Sequence, residues 1–389
     1  MPLFDPGSGF VAPVVAATSA RLPVAAPTLP STEGLLPYLK RIDASGWYSN
    51  FGPLIQELEA RLAGRFAHPT EVVTVANGTL GLTLALQAFD LPRGGLCAIP
   101  SWTFVATAHA VRMAGLTPWF VDVDPDGGEL TPDLLSEALP RAPGPVVAAI
   151  PVSVMGLPAP VEAWAAFREA TGLSVLLDAA AGFDAVGDAP IPVMVSLHAT
   201  KALGIGEGAF LATRDPTLAQ RWRALSNFAF MGNRTALYPA TNAKLSEYAA
   251  AVGLAALDIW PDTRNGYVAA ARRLRIALSD EPRVRFQPGW GLDWISSTCL
   301  VSLPEGSADA VEAILAREEV ETRRWWGRGC HAAPAFADCP ADWLEATPKL
   351  ADSTLGVPFF ARLQPEQINR VACALKLALD MPGGERTPA

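Results

Sequence analysis

Seven short runs of almost continuous apolar character alternate with helical segments between residues 31 and 257. A strand that helices cover on both faces needs apolar side chains on both sides, so such runs predict a buried, mainly parallel sheet. The runs are EVVTVA, GLCAIP, TPWFVDV, VVAAIPV, SVLLD, PVMVSL and AFLAT. Segments with helical spacing, such as GLTLALQAF and PVEAWAAFREATG, lie between them. This βαβ alternation predicts an α/β domain.

The pattern changes after Leu257. A long helical stretch is interrupted near Pro261 and is followed by the strand-like runs RVRFQ and STCLVSL, the helix ADAVEAILAREE and the helix PEQINRVACALKLAL. These elements predict a smaller α+β domain. We therefore predict an N-terminal arm over residues 1–30, which are rich in Pro and Ala, a large α/β domain over 31–257 and a small C-terminal α+β domain over 258–389.

The charge balance narrows the classes of function. The 30 basic and 39 acidic side chains give a net charge of −9, which argues against binding to nucleic acid or to an anionic membrane. No apolar stretch is long enough to span a bilayer, and the opening residues lack the basic lead of a signal peptide. The five cysteines are scattered, without a CxxC pair, and the histidines show no metal-ligand spacing, so we predict a cytoplasmic protein without a metal site.

Two chemically distinctive residues each follow an apolar run: Asp178 ends SVLLD, and Lys201 comes shortly after PVMVSL. Side chains at the carboxyl ends of parallel strands face the crevice where α/β proteins bind ligands. Pyridoxal phosphate needs an amine that forms a Schiff base and a carboxylate that keeps its ring nitrogen protonated. The spacing thus indicates a pyridoxal phosphate site, although a solvated loop lysine and a helix-capping aspartate explain it equally well.

Several longer motifs resemble one known family. They are GWYSNFGPLIQELEARLA, ANGTLGLTLAL, PSWTFVATAHAVRMAGLTPWFVDVDPD, LLDAAAG, SLHATKALGIGEGAF, RALSNF, TNAKLSEYAAAVGLAALD and LGVPFF. In order and spacing the chain resembles, from about Gly46 to Leu375, the DegT/DnrJ/EryC1/StrS family of fold-type I pyridoxal phosphate enzymes, the aminotransferases of nucleotide-sugar biosynthesis. The resemblance implies a large domain with a mainly parallel seven-stranded sheet and a smaller C-terminal α+β domain.

The resemblance implies roles for the residues of the cofactor site. Lys201 matches the Schiff-base lysine, which becomes a general acid and base once an amino donor displaces it. Asp178 matches the carboxylate partner of the ring nitrogen. Gly78 and Thr79, at a strand-to-helix turn, match the phosphate-binding pair, because free N–H groups and the helix dipole favour an anion. Ser196 matches a hydroxyl donor to the same phosphate.

Further matches concern the cofactor ring and the partner subunit. Phe104 matches the aromatic residue that stacks on the cofactor, and Trp102 is the near alternative. Asn227 matches an asparagine that reaches the phosphate from the partner subunit. The resemblance therefore implies a homodimer with shared active sites.

The candidates for substrate contact are Trp102, Lys244, Arg324 and His331. Lys244 stands where the family has an arginine, so it would meet a substrate phosphate as a point charge without bidentate geometry. The segment ETRRWWGRG offers Arg323, Arg324 or Arg328 to a diphosphate, and a solvated surface explains it equally well. His331 lies in CHAAPAF, which aligns with a family segment near the substrate entrance.

The chain departs from the family at two positions near this site. Ala181 stands where Gln or His is common, and Ser153 stands where a histidine is usual. One polar contact is therefore missing or is supplied from elsewhere. His198 is expected to be a packed structural histidine, because it alternates to the face of the strand opposite Ser196.

The resemblance implies a ping-pong aminotransferase. L-glutamate would convert bound pyridoxal phosphate to the pyridoxamine phosphate form, and a nucleotide-linked keto-deoxy sugar would accept the amine. Two alternatives remain: an aminotransferase that acts on a cyclitol ketone, and a noncatalytic regulator on the same fold. The retained Lys201 and Asp178 argue against the regulator.

Overall fold

The structure is a computed structural model that describes residues 21–381; most of the predicted N-terminal arm and the last eight residues lie outside this range. The helices are α1 (Thr32–Ser45), α2 (Pro53–Ala63), α3 (Gly78–Ala88), α4 (Val105–Met113), α5 (Pro132–Ala138), α6 (Val161–Thr171), α7 (Pro216–Leu225), α8 (Glu247–Asp258), α9 (Trp260–Ala277), α10 (Ala308–Arg317), α11 (Ala346–Ser353) and α12 (Pro365–Asp380). The strands are β1 (Glu71–Val75), β2 (Leu96–Pro100), β3 (Thr117–Val121), β4 (Val146–Ala149), β5 (Ser174–Val175), β6 (Leu177–Asp178), β7 (Val193–Ser196), β8 (Ala209–Thr213), β9 (Arg285–Phe286), β10 (Cys299–Ser302) and β11 (Thr354–Val357).

All seven predicted runs of the α/β part form strands, and the predicted α/β class with a mainly parallel sheet is confirmed. The strands lie in the orders β3-β2-β4-β5 and β1-β8-β7-β6. The run SVLLD forms both β5 and β6, which are separated by Leu176 and join the two halves into one layer. β8 is antiparallel to both β7 and β1. The segment 197–208 between β7 and β8 contains no helix, and parallel strands need a longer crossover, usually a helix.

The C-terminal part carries its own antiparallel sheet, in the order β11-β10-β9. The predicted interruption near Pro261 is also present: α8 ends at Asp258 and α9 begins at Trp260, with Pro261 in its first turn. Proline fits there because the first N–H groups of a helix have no intrahelical acceptor. The division at residue 257 itself stays a prediction. In the described chain no helix combines the length and apolar character needed to cross a membrane.

The described end of the predicted N-terminal arm packs on the C-terminal part of the chain. Leu22 and Val24 are buried, with 3% and 4% of their surface exposed. The Leu22 N–H donates to the Glu319 carbonyl, and the Leu22 carbonyl accepts from Glu321. The Val24 carbonyl accepts from the N–H of Phe359. This segment is thus held by main-chain hydrogen bonds, which its Pro- and Ala-rich composition does not indicate.

A remote carboxylate caps α11. Asp122, just after β3, accepts hydrogen bonds from the N–H groups of Glu345, Ala346 and Thr347 and from the Thr347 hydroxyl, at 2.5–2.9 Å. Burial alone would raise the pKa of Asp122, but these hydrogen bonds outweigh it and leave the pKa below its usual value. Asp122 therefore joins the α/β sheet to the C-terminal part through the N-terminus of a helix.

We expect Asp122→Ala to lower the free energy of unfolding by about 1–2 kcal/mol, the usual cost of losing a helix cap. Because the pKa of Asp122 is lower in the folded state than in the unfolded state, its contribution is present above the unfolded value and is lost as the pH falls through the folded value. Chemical denaturation at pH 7 and at a series of acidic pH values measures both effects. Asp126→Ala, which removes an exposed carboxylate nearby, is the control; equal stability of the two variants would contradict the capping role.

Candidate active site

Asp178 lies at the carboxyl end of β6 and is 5% exposed. Its Oδ2 accepts a hydrogen bond from the Thr107 hydroxyl at 2.8 Å, and its Oδ1 accepts one from the Ala180 N–H at 3.1 Å. Burial raises the pKa of Asp178, and the hydrogen bonds from Thr107 and Ala180 and the charge of Lys201 oppose this rise. The site thus holds a buried carboxylate for which a cationic partner would be favourable.

Lys201 follows β7 in a turn that its own N–H fixes by donating to the His198 carbonyl at 2.8 Å. Burial lowers the pKa of Lys201, and the negative charge of Asp178 opposes this change. The two groups therefore influence each other, but no ion pair joins them among the described residues. Both side chains remain available to a ligand, and the lowered pKa increases the neutral, nucleophilic fraction of the amine.

The N-terminus of α3 forms a turn beside the same strand. The Asn77 side chain accepts from the Leu80 N–H at 2.9 Å, and the Asn77 carbonyl accepts from Gly81. The N–H groups of Gly78 and Thr79 precede the first intrahelical hydrogen bonds and are directed out of the helix end. A Cβ on Gly78 would lie 3.1 Å from the Met194 sulfur and 3.6 Å from the Ser196 Cβ. The helix end and the Ser196 hydroxyl thus form one small cradle suited to an anion.

The two aromatic candidates lie in different environments. Phe104, the residue preceding α4, is 58% exposed, and its carbonyl accepts from the Thr107 N–H. Trp102 is 3% exposed and packs edge-on against Trp326, with ring centroids 5.4 Å apart. Of the two, Phe104 has an exposed ring, and its backbone contacts the residue that donates to Asp178, whereas Trp102 belongs to the core.

Asn227 and Lys244 contact each other. The Lys244 ammonium donates to the side-chain carbonyls of Asn227 and Asn242, both at 2.7 Å, and lies 4.9 Å from the centre of the Phe228 ring. Burial lowers the pKa of Lys244. Because their carbonyls face the ammonium, the amide NH₂ groups of both asparagines point away from it. Asn242 is a neighbour that the sequence did not single out, although it lies in the quoted motif TNAKLSE.

The other two substrate candidates are engaged in contacts within the chain. Arg324 forms an ion pair with Asp309 of α10 and donates to the Ala351 carbonyl of α11. The His331 Nδ1 lies 2.5 Å from the Ser101 hydroxyl, just after β2. Burial lowers the pKa of His331, assisted by Arg328 and opposed by Asp122. Arg324 therefore fastens the C-terminal elements together, and His331 ties its segment to the edge of the sheet.

The positions that differ from the family have simple local surroundings. The Ser153 hydroxyl donates to the Leu157 carbonyl at 2.5 Å and so belongs to its own turn. Beside it, Gly156 has a φ of +98°, and a Cβ there would lie 2.7 Å from the Ala181 carbonyl. His198 is 45% exposed in its side chain and lies 2.8 Å from the Thr200 hydroxyl. The expectation that His198 is packed is wrong, because the strand ends at Ser196 and the alternation does not continue into the turn.

These positions fit pyridoxal phosphate. A buried carboxylate, a lysine with a lowered pKa, an exposed aromatic ring and an anion cradle lie at the ends of β6 and β7 and the starts of α3 and α4. These features match a protonated ring nitrogen, an aldehyde, a ring face and a phosphate, respectively. Within residues 21–381 no cluster of three or more metal-ligating side chains occurs.

Comparisons with known proteins agree with this fit. The model of the DegT/DnrJ/EryC1/StrS aminotransferase family matches residues 31–376. The erythromycin biosynthesis sensory transduction protein EryC1 of Saccharopolyspora erythraea is 31% identical over 87% of this chain and 93% of its own. The dTDP-4-amino-4,6-dideoxy-D-glucose transaminase of Escherichia coli is 27% identical over 90% and 96%, respectively. A crystal structure of DesI with its TDP-sugar product is 33% identical, covers 94% of this chain and 95% of that chain, and has a TM-score of 0.83.

Proposed function

Because this chain belongs to the DegT/DnrJ/EryC1/StrS aminotransferase family and is a pyridoxal phosphate-dependent sugar aminotransferase, we propose that it moves an amino group from L-glutamate to a keto-deoxy sugar linked to a nucleotide. The products are 2-oxoglutarate and the corresponding amino sugar. The transaminase of Escherichia coli and the DesI structure support the substrate class, since their names specify a dTDP-sugar and a TDP-sugar.

The observation that carries this proposal is the presence of a buried lysine and a buried carboxylate, Lys201 and Asp178, whose charges influence each other but which form no ion pair within the described chain. Bound pyridoxal phosphate supplies a carbonyl carbon that carries the amino group between substrates and a ring that accepts electrons when a substrate C–H bond breaks. Lys201 would hold the carbonyl carbon through its amine and, once released, would move a proton to or from the substrate carbon. Asp178 would keep a proton on the ring nitrogen, and the Thr107 hydroxyl, which donates to Asp178, orients the carboxylate.

The other proposed cofactor residues would hold the phosphate and orient the ring of the cofactor. Gly78 and Thr79 present N–H groups to the phosphate, and the Ser196 hydroxyl donates beside them. Phe104 would stack on one face of the cofactor ring and keep water from that side. We further propose a homodimer as the active form, in which Asn227 would reach the phosphate of the other subunit's site.

The test follows both halves of the reaction in one preparation. Protein loaded with pyridoxal phosphate is mixed with L-glutamate while its visible absorption is recorded, and a keto-deoxy sugar nucleotide is then added. We expect the absorption band of the lysine-bound cofactor to decrease when L-glutamate is added and to return when the keto-sugar nucleotide is added. Mass spectrometry should then detect the amino sugar. If the protein aminates a keto-inositol but none of the sugar nucleotides, the result would support the cyclitol alternative. Absence of amine transfer to either acceptor would contradict the proposal.

A further inference from the structure

We infer that Arg328 binds the diphosphate of the nucleotide-linked substrate in a cavity between Phe104 and the two tryptophans Trp325 and Trp326. The cavity has a volume of 330 Å³ and is lined by these residues together with Thr103 and Ala333. This inference rests on the proposed function and names the part of the chain that recognises the nucleotide end of the acceptor.

The structure distinguishes among the three arginines of ETRRWWGRG. Arg324 is only 19% exposed in its side chain and is paired with Asp309. Arg323 lies 4.9 Å from the centre of the Trp325 ring and 3.8 Å from Glu321. Arg328 is exposed, and within the described part of the chain its side chain forms neither an ion pair nor a hydrogen bond, although its charge acts on nearby His331. Arg328 is also the arginine of this segment that lines the cavity.

The backbone holds Arg328 in a fixed place. Gly327 and Gly329, which flank it, have φ values of +54° and +98°, a conformation that residues with a Cβ rarely adopt. The Gly329 N–H donates to the Trp326 carbonyl at 2.9 Å, and the Cys330 N–H donates to the Ser101 carbonyl at 2.7 Å. The turn that carries Arg328 is thus fastened to the end of β2.

The cavity adjoins the proposed cofactor site through α4. Thr103 and Phe104, which line the cavity, immediately precede this helix. One turn later, the Thr107 hydroxyl donates to Asp178 and also lies 3.0 Å from the Thr103 hydroxyl. A substrate whose keto carbon lies near Lys201 can therefore extend past Phe104 into the cavity.

The chemistry of the walls favours a nucleoside diphosphate. A guanidinium binds phosphate oxygens through two parallel hydrogen bonds, and it is less strongly hydrated than an ammonium. Aromatic rings offer faces on which a base or a sugar packs. The carboxylates of L-glutamate are also oxyanions that an arginine can bind. However, L-glutamate is too small to contact all three aromatic side chains of the cavity, whereas a nucleoside diphosphate is large enough. The experiment therefore compares the two ligands directly.

The binding of dTDP and of UDP to the protein loaded with pyridoxamine phosphate is measured by calorimetry for the wild type, Arg328→Gln and Arg328→Lys. We expect Arg328→Gln to raise the Kd of the preferred nucleotide by about ten- to a hundredfold, the usual effect of losing a hydrogen bond to a charged group. Arg328→Lys keeps the positive charge but cannot form the two parallel hydrogen bonds of a guanidinium, so its Kd should lie between those of the wild type and Arg328→Gln. Arg323→Gln removes the same charge from the same segment outside the cavity, and its Kd should change by less than about threefold.

Kinetics of the separate half-reactions distinguish the possible outcomes. We expect Arg328→Gln to raise the KM for the keto-sugar nucleotide by more than it changes the reaction with L-glutamate. Equal nucleotide affinity in the wild type and Arg328→Gln, or a loss confined to the glutamate step, would overturn the inference. Failure of the wild type to aminate any sugar nucleotide would instead refute the proposed function, and the calorimetric comparison does not depend on that result. If the wild type binds neither nucleotide, the inference is wrong.

Discussion

Lys201→Ala is expected to lower the turnover number of the transamination by at least about 10³-fold, since the loss of a general acid and base alone typically costs about 10²- to 10⁴-fold. The amine that holds the cofactor carbon and the group that moves the proton are lost together. The visible absorption of the protein with pyridoxal phosphate should shift to that of the unattached cofactor. L-glutamate should no longer convert the bound cofactor to the pyridoxamine phosphate form, so its addition should leave the spectrum unchanged. Stopped-flow absorption and product analysis measure the two effects separately.

The stability of the lysine variants provides a control. Because burial lowers the pKa of Lys201 in the folded state, this amine costs stability as the pH falls below its unfolded pKa, and the cost is complete below its folded pKa. Lys201→Ala removes this cost but also removes the positive charge that favours the buried Asp178 carboxylate, so we expect the thermal midpoint without cofactor to change little, which would exclude unfolding as the cause of inactivity. Lys201→Arg, which keeps a charge beside Asp178 but does not form the cofactor adduct, should be equally inactive. Wild-type turnover in either variant would refute the catalytic role of Lys201.

Asp178→Asn is expected to reduce kcat/KM by about two to four powers of ten, because removing one member of a buried charge pair, here the carboxylate opposite the protonated ring nitrogen of the cofactor, costs about 3–5 kcal/mol. The substitution keeps the size of the side chain but removes the charge that holds a proton on the cofactor's ring nitrogen. The affinity for pyridoxal phosphate should fall as well. Steady-state kinetics and equilibrium dialysis of the cofactor measure both quantities.

Thr107 offers a matched comparison for Asp178. Thr107→Val removes the hydroxyl that donates to Asp178 at 2.8 Å but leaves the carboxylate, so its effect on kcat/KM should be about tenfold, the cost of one hydrogen bond to a charged group. Thr107→Ser, which keeps a hydroxyl, should restore most of the activity. The nitrogen NMR shift of isotope-labelled pyridoxal phosphate reports the ring-nitrogen proton directly and separates this role from a purely structural one. If Asp178→Asn were no worse than Thr107→Val, a charge-based role for Asp178 would be excluded.

The sequence predicted the sheet well because its signal is local. A strand covered on both faces must be apolar at nearly every position, and all seven such runs of the α/β part form strands. The helix α7 was not predicted, although Asp215 caps its start by accepting from Thr217 and Leu218. Apolar residues interspersed with polar ones are typical of an amphipathic helix, so the Asp215 cap and Pro216 at the first helical position are start signals that lie outside the short apolar runs.

The residues that support the site were harder to predict, because their partners are distant in the chain. Thr107 and Asp178 are 71 positions apart, and Asp122 caps a helix more than 200 positions later. No local pattern marks either pair. The ion pair of Arg324 with Asp309 and the open position of Arg328 likewise depend on how the C-terminal elements pack.

The sequence by itself determined the α/β class and the positions of Asp178 at the end of one strand and of Lys201 shortly after another, because apolar patterning and chain direction fix these within a few residues. The assignment of Gly78 and Thr79 came from the resemblance to the family. The tertiary structure alone decided the burial of Trp102, the exposure of Phe104 and the ion pair that engages Arg324 while Arg328 stays exposed. Burial and hydrogen-bond partners depend on which elements pack together, and that packing is a property of the whole chain rather than of any one segment.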